Sequence, residues 1–145
     1  MRSGKLSYAG IAGAVAGVVG LFGIYATWFV IPGTGIGLNG TADVSGKLAL
    51  AMSIALFAFS GAYVLIADGA IRRSLSALII VSAVLLTLSV VWAILRADGL
   101  DARVGLWLSG FGGILGIGAG ILTLKESPVD EPVEDDATAP VAAGS

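Results

Sequence analysis

Hydrophobic and polar positions separate into long blocks along this chain. Four uncharged stretches, residues 6–31, 48–67, 75–95 and 104–124, are divided by short segments that hold charges, glycine and proline. At a rise of about 1.5 Å per residue, each is long enough to cross a hydrocarbon layer of roughly 30 Å as a helix. A helix that is apolar all round is one buried in a large core or in lipid. The pattern predicts an all-α membrane protein, an antiparallel four-transmembrane-helix bundle. Pro32 marks the predicted end of the first helix. The longest connection, 32–46, predicts a small extracellular loop cap, and its Asn39-Gly40 dipeptide favours a tight turn and a short β-hairpin.

Glycine follows a pattern of its own inside these blocks. Gly112, Gly116 and Gly120 fall four apart in the last stretch, with Gly105 and Ser109 nearly on the same stripe. In the first stretch Gly10, Gly13, Gly17 and Gly20 repeat at intervals of three and four. No hydrophobic effect draws helices together in lipid, so small-residue faces that permit close van der Waals approach become packing seams. The first and fourth helices are therefore expected to approach most closely, each other or copies of themselves.

Composition sharpens the picture. Of 145 residues 57% are hydrophobic and 12% charged, and the net charge of −2 hides a split. All eight Lys and Arg lie within residues 1–125, whereas residues 126–145 hold six acids, three prolines and no base. That last segment cannot bury enough apolar area to order itself, and is expected to be a disordered acidic cytoplasmic tail beyond a membrane domain of residues 1–125. An even number of spans puts both termini on one side, together with Arg2, Lys5, Arg72, Arg73 and Lys125, against Lys47, Arg96 and Arg103. The excess of positive charge places both termini in the cytoplasm and the chain in the cell membrane. Trp28, Trp92 and Trp107 then all fall near the opposite face, as an interfacial aromatic belt or a lateral pocket for a lipid or isoprenoid pigment.

Little catalytic chemistry is available. The chain has neither cysteine nor histidine, and none of its spans carries Asp, Glu, Lys or Arg. Ionisable groups in a bilayer mark ion paths and proton relays. Their absence excludes the rotary-ATPase proteolipids and small multidrug exporters that the size and glycine content suggest. Gly33-Thr34-Gly35-Ile36-Gly37 has glycine spacing reminiscent of a dinucleotide fingerprint but lacks the strand, helix and acid around it. Asn39-Gly40-Thr41 fits the N-x-[ST] glycosylation pattern, with Asn39 as acceptor. Asp98 and Asp101 are flanked by Arg96 and Arg103, an arrangement suited to solvated salt links. No basic face for nucleic acid is present. The reading is a non-enzymatic structural or accessory membrane protein without a cofactor, in contact with membrane lipids, which self-associates or docks on a larger membrane complex through its glycine faces. A pore or carrier for neutral or apolar cargo, or an outer-leaflet lipid or pigment binder, is the alternative.

A basic start, a first span carrying glycine and Trp28, the loop GLNGTADVSGKLAL, the Arg72-Arg73 turn and a last span opening GLWLSGFGGILGIGAGIL together resemble small four-span membrane proteins of actinobacteria and haloarchaea. A more distant resemblance is to claudin-type tetraspans, whose layout implies both termini inside and a small sheet between the first two spans. The two cysteines that claudins place in this loop are missing here.

Overall fold

The structure, a computed structural model, describes residues 7–127. Four helices make the bundle: α1 (Tyr8–Tyr25), α2 (Val44–Leu65), α3 (Gly69–Arg96) and α4 (Val104–Glu126). All four are long and apolar enough to span a membrane, and the chain is a multi-pass membrane protein. Each helix packs on two neighbours in the cyclic order α1, α2, α3, α4, and the diagonal pair α2 and α4 barely touches. The centre is filled by Leu56, Ile79, Leu86 and Leu106, while Val15, Phe22, Ile54, Leu88, Phe111 and Ile114 face outward. Apolar side chains on the outside are what a hydrocarbon solvent selects.

At one end of the bundle the chain ends meet. Ser7 caps α1 by accepting from the Gly10 amide at 3.1 Å, and its hydroxyl donates to Glu126 Oε2 at 2.6 Å. The buried Tyr63 hydroxyl donates to the Thr123 carbonyl at 2.8 Å, which joins α2 to the same end of α4. Glu126 and Ser127 are thus part of the folded end rather than of a tail. The basic start at Arg2 and Lys5, and the rest of the acidic segment from residue 128, lie outside the described residues.

At the other end a three-stranded antiparallel sheet covers the bundle in the order β2-β1-β3, from β1 (Thr27–Val30), β2 (Gly37–Asn39) and β3 (Asp101–Ala102). The cap expected from residues 32–46 is therefore present, with three corrections. First, α1 stops at Tyr25 and not at Ile31, because Thr27-Trp28-Phe29-Val30 pairs as a strand. Aromatic and β-branched residues fit a pleated surface well, and hydropathy alone does not separate such a strand from more helix. Second, the hairpin turns at residues 31–36, not at Asn39-Gly40. Ile31 N donates to Ile36 O at 3.1 Å, and Gly33 and Gly35 take φ of +82° and +69°, which only glycine adopts readily. Asn39 ends β2, and Gly40–Ala42 forms a 3₁₀ turn into α2. Third, the sheet recruits β3 from the connection between α3 and α4, with Phe29 opposite Ala102 and Val30 opposite Asp101.

The connection between α2 and α3 is also shorter than the charge pattern implies. Arg72 and Arg73 lie within α3, which begins at Gly69 and reaches roughly 42 Å over its 28 residues, longer than the hydrocarbon layer. Asp68 sets that start, its Oδ1 accepting from the amides of Ala70 at 2.9 Å and Ile71 at 3.2 Å. Arg72 then folds back, donating from Nε to the Ile66 carbonyl at 2.7 Å. Replacing Asp68 by Ala removes both capping bonds and is expected to lower stability by about 1 kcal/mol, whereas Asp68→Asn retains most of it. Thermal unfolding in one detergent compares the two; equal losses would show that the cap does not set the helix start.

Candidate functional site: the helix seams and the cup beneath the sheet

The glycines predicted to form seams are buried at helix contacts inside the chain. As expected, α1 and α4 make the most extensive contact of any helix pair, but several of the glycines face other helices. Gly10, Gly13 and Gly17 face α2: a methyl group added at Gly10 would lie 2.7 Å from Val64 Cγ2, and one at Gly17 would lie 2.8 Å from the Phe57 amide nitrogen. Gly13 meets the Ser60 hydroxyl and Gly20 the Ser53 hydroxyl. The close contact of α1 with α4 is made nearer the cap. There a methyl at Gly112 would reach the Gly20 nitrogen at 2.8 Å and the Ala16 carbonyl at 2.9 Å. One at Gly105 would reach the Gly23 carbonyl at 2.7 Å, and Ser109 lies against Gly23. Gly116 looks to the centre, toward Leu56 and Ala83, and Gly120 looks to Ile79 and Ile80 of α3.

The winding has a simple cause. With about 100° of turn per residue, a spacing of four advances about 40° round the helix at each step, so Gly112, Gly116 and Gly120 drift from α1 through the centre to α3. Two glycines and two hydroxyls outside the predicted set belong to the same seams: Gly23, Gly113 against Thr87, and Ser53 and Ser60 on α2. Both serine hydroxyls are buried with no hydrogen-bond partner among the described residues, each seated where a larger side chain would collide with α1. A serine spacing of seven on α2, matched to the glycines of α1, is the sequence signal for this seam. Thr87, Ser89 and Ser109 return their hydroxyls to carbonyls of their own helices.

The three tryptophans separate into two kinds. Trp92 and Trp107 are 52% and 63% exposed on α3 and α4 near the cap, positions suited to an aromatic belt. Trp28 is 1% exposed and is not a belt residue. A bulge in β1 between Thr27 and Phe29 turns its ring inward, where the indole Nε1 donates to the Gly23 carbonyl at 3.0 Å. Gly40 lies against its ring, and Gly46 lies against the Gly40 carbonyl. The cap is thus assembled around one buried indole.

Between the sheet and the end of α3 lies a cup of about 310 Å³, lined by Trp28, Phe29 and Leu38 below and by Asn39, Asp43 and Arg96 at its polar side. Asp43 caps α2: its carboxylate accepts from the Ser45 hydroxyl at 2.6 Å and from the Ser45 amide at 3.4 Å. The Ser45 hydroxyl above all, then the backbone amides of Val44 and Ser45 and the more distant charge of Arg96, hold this carboxyl below its ordinary value of 3.8 against a small opposing effect of burial. Arg96 lays its guanidinium over the Trp92 ring, 5.4 Å from the centroid. The salt links expected of Asp98 and Asp101 with Arg96 and Arg103 do not form among the described residues. Asp101 is drawn into β3, and the Arg103 amide donates to the Trp28 carbonyl at 2.7 Å. Asn39, the residue of the N-x-[ST] pattern, is exposed, and its Oδ1 accepts from the Thr41 hydroxyl at 2.7 Å.

Two outcomes follow from this geometry. Gly112→Leu forces a side chain into the backbone of α1 and is expected to cost about 3 kcal/mol or more, preventing a folded monomer, whereas Gly118→Leu points into open space and is tolerated. Unfolding midpoints and gel-filtration profiles of the two variants check this. Because the Asp43 carboxyl is lowered on folding, its contribution is fully present above about pH 4 and is lost as pH falls through the lower folded value. Asp43→Asn should therefore flatten the acid limb of stability against pH while leaving the neutral region nearly unchanged. No family model, no curated protein and no solved structure matches this chain.

Proposed function

We propose that the protein is a non-enzymatic structural or accessory component of the cell membrane, with both termini in the cytoplasm and the three-stranded cap outside. It is a preassembled four-helix scaffold that self-associates or serves as a subunit of a larger membrane complex. One observation carries this reading: the charged side chains of the described helices sit only in their end turns, so the bundle interior offers no acid, base or counter-charge to a reaction or an ion. The glycine faces are occupied within the chain by α1, α2 and α3. Association with other chains accordingly uses the lipid-facing side chains and the cap, in place of the glycine faces named from the sequence. The same occupancy speaks against a pore between protomers built on those glycine faces.

Purification in a mild detergent, followed by mass analysis of the intact particle, is expected to give a stable multimer or a complex with companion proteins. Reconstituted into sealed vesicles, that particle is expected to leave ion conductance and efflux of small neutral solutes at the level of protein-free vesicles. A bare monomer at all concentrations, or flux that rises with protein content, would overturn the proposal.

A further inference from the structure

The cup beneath the sheet holds two opposite charges that do not meet. Asp43 and Arg96 line the same cavity, and no salt bridge or hydrogen bond joins them among the described residues. Each is held by its own element. Ser45 retains the carboxylate at the start of α2, and the Trp92 ring retains the guanidinium at the end of α3. Asn39 adds a primary amide whose oxygen is engaged by Thr41, so its N–H groups are the part left to a ligand. Below these three polar groups the floor is apolar, formed by Phe29, Leu38 and Leu100.

An exposed cation and an exposed anion that line one cavity without pairing disfavour a ligand of either single charge. A lone anion attracted by Arg96 is repelled by Asp43, and a lone cation meets the reverse. A molecule that carries both charges satisfies both walls, with a short carbon link over the apolar floor. The volume, about 310 Å³, lies at the lower end of the roughly 300–1,000 Å³ typical of small-ligand pockets. It accommodates a head group and not acyl chains. Trp92, on which Arg96 lies, is exposed in the last turns of α3, a position at which aromatic residues of membrane helices meet lipid head groups.

We propose that this cup binds a zwitterionic head, an ammonium beside a phosphate or carboxylate, with the ammonium toward Asp43 and the anionic oxygens toward Arg96 and the Asn39 amide. The site goes beyond the scaffold role.

The test places the full chain in phosphatidylglycerol nanodiscs and follows the Trp28 indole N–H by NMR. In one arm soluble phosphoethanolamine is titrated against glycerol phosphate and ethanolamine; in the other the discs are doped with phosphatidylethanolamine. Wild-type protein is expected to favour the zwitterion at least about tenfold over either singly charged probe, a difference of one decade in Kd. Saturation in the first arm identifies a free solute as the source, and saturation only in the second identifies a lipid head group. Asp43→Asn keeps a good helix cap and is expected to turn the preference toward glycerol phosphate; Arg96→Gln is expected to turn it toward ethanolamine. Failure of both arms, or variants that keep the wild-type preference while folded, would overturn the site. Flux through reconstituted protein would overturn the scaffold role and leave this result standing.

Discussion

Backbone must touch backbone for this bundle to hold. Helices in lipid gain nothing from hiding apolar surface from water, because the hydrocarbon around them is apolar already; what remains is dispersion and close fit. Gly20 is the point at which this requirement is most severe. A side chain there would meet Ser53 of α2 and Leu86 of α3, while a side chain at Gly112 of α4 would meet the Gly20 backbone itself. One glycine thus lets α1 sit between α2 and α4 and still reach the centre.

The cap depends on the same approach. Gly105 and Gly23 bring the start of α4 against the end of α1, so the chain leaving α1 crosses over α4 instead of running outward. The Gly23 carbonyl, left without a helical partner near the end of α1, accepts the indole proton of Trp28. With the indole in place, its own carbonyl receives the Arg103 amide, and Phe29 and Val30 pair with β3. Gly40 then passes close over the ring and Gly46 close over Gly40, which fixes where α2 begins. These contacts follow one another around the buried Trp28 ring.

How far the sequence discloses this follows from what hydropathy measures. Absence of charge marks the four spans well, because an unpaired charge in hydrocarbon is costly whatever the fold. It does not mark where a helix stops when the next residues are also apolar, and residues 27–30 therefore read as helix. It likewise misplaces the start of α3, where Arg72 and Arg73 look like a loop but continue a helix that outruns the hydrocarbon. The burial of glycine at helix contacts is legible; which neighbour each glycine meets is not, since that depends on a rotation of about 40° per four residues and on side chains of another helix. Trp28 fails as a belt residue for a related reason. A single bulge reverses the side to which a strand residue points, and no local composition encodes it. The cup is the least legible feature, because Asn39, Asp43 and Arg96 come from three elements whose meeting is a consequence of the cap.

Closure at both ends decides where chemistry can occur. At the terminal end Tyr63, Thr123, Ser7 and Glu126 tie three helices together, and Arg72 lies over the Tyr63 ring with its guanidinium 4.9 Å from the centroid. At the other end the sheet sits over the core. Between them the central side chains Leu56, Ile79, Leu86 and Leu106 are wholly buried, so the middle of the protomer is solid. A molecule in water or in the head-group layer therefore meets this protein at its surfaces. Among the cap residues, Asp43 and Arg96 stand out because each is held by a partner that does not neutralise it: a hydroxyl in one case and an aromatic ring in the other. Had either been paired with a neighbouring acid or base, the cup would be an electrically finished wall. Unpaired as they are, they offer both signs of charge to one cavity, a combination that suits a guest carrying both.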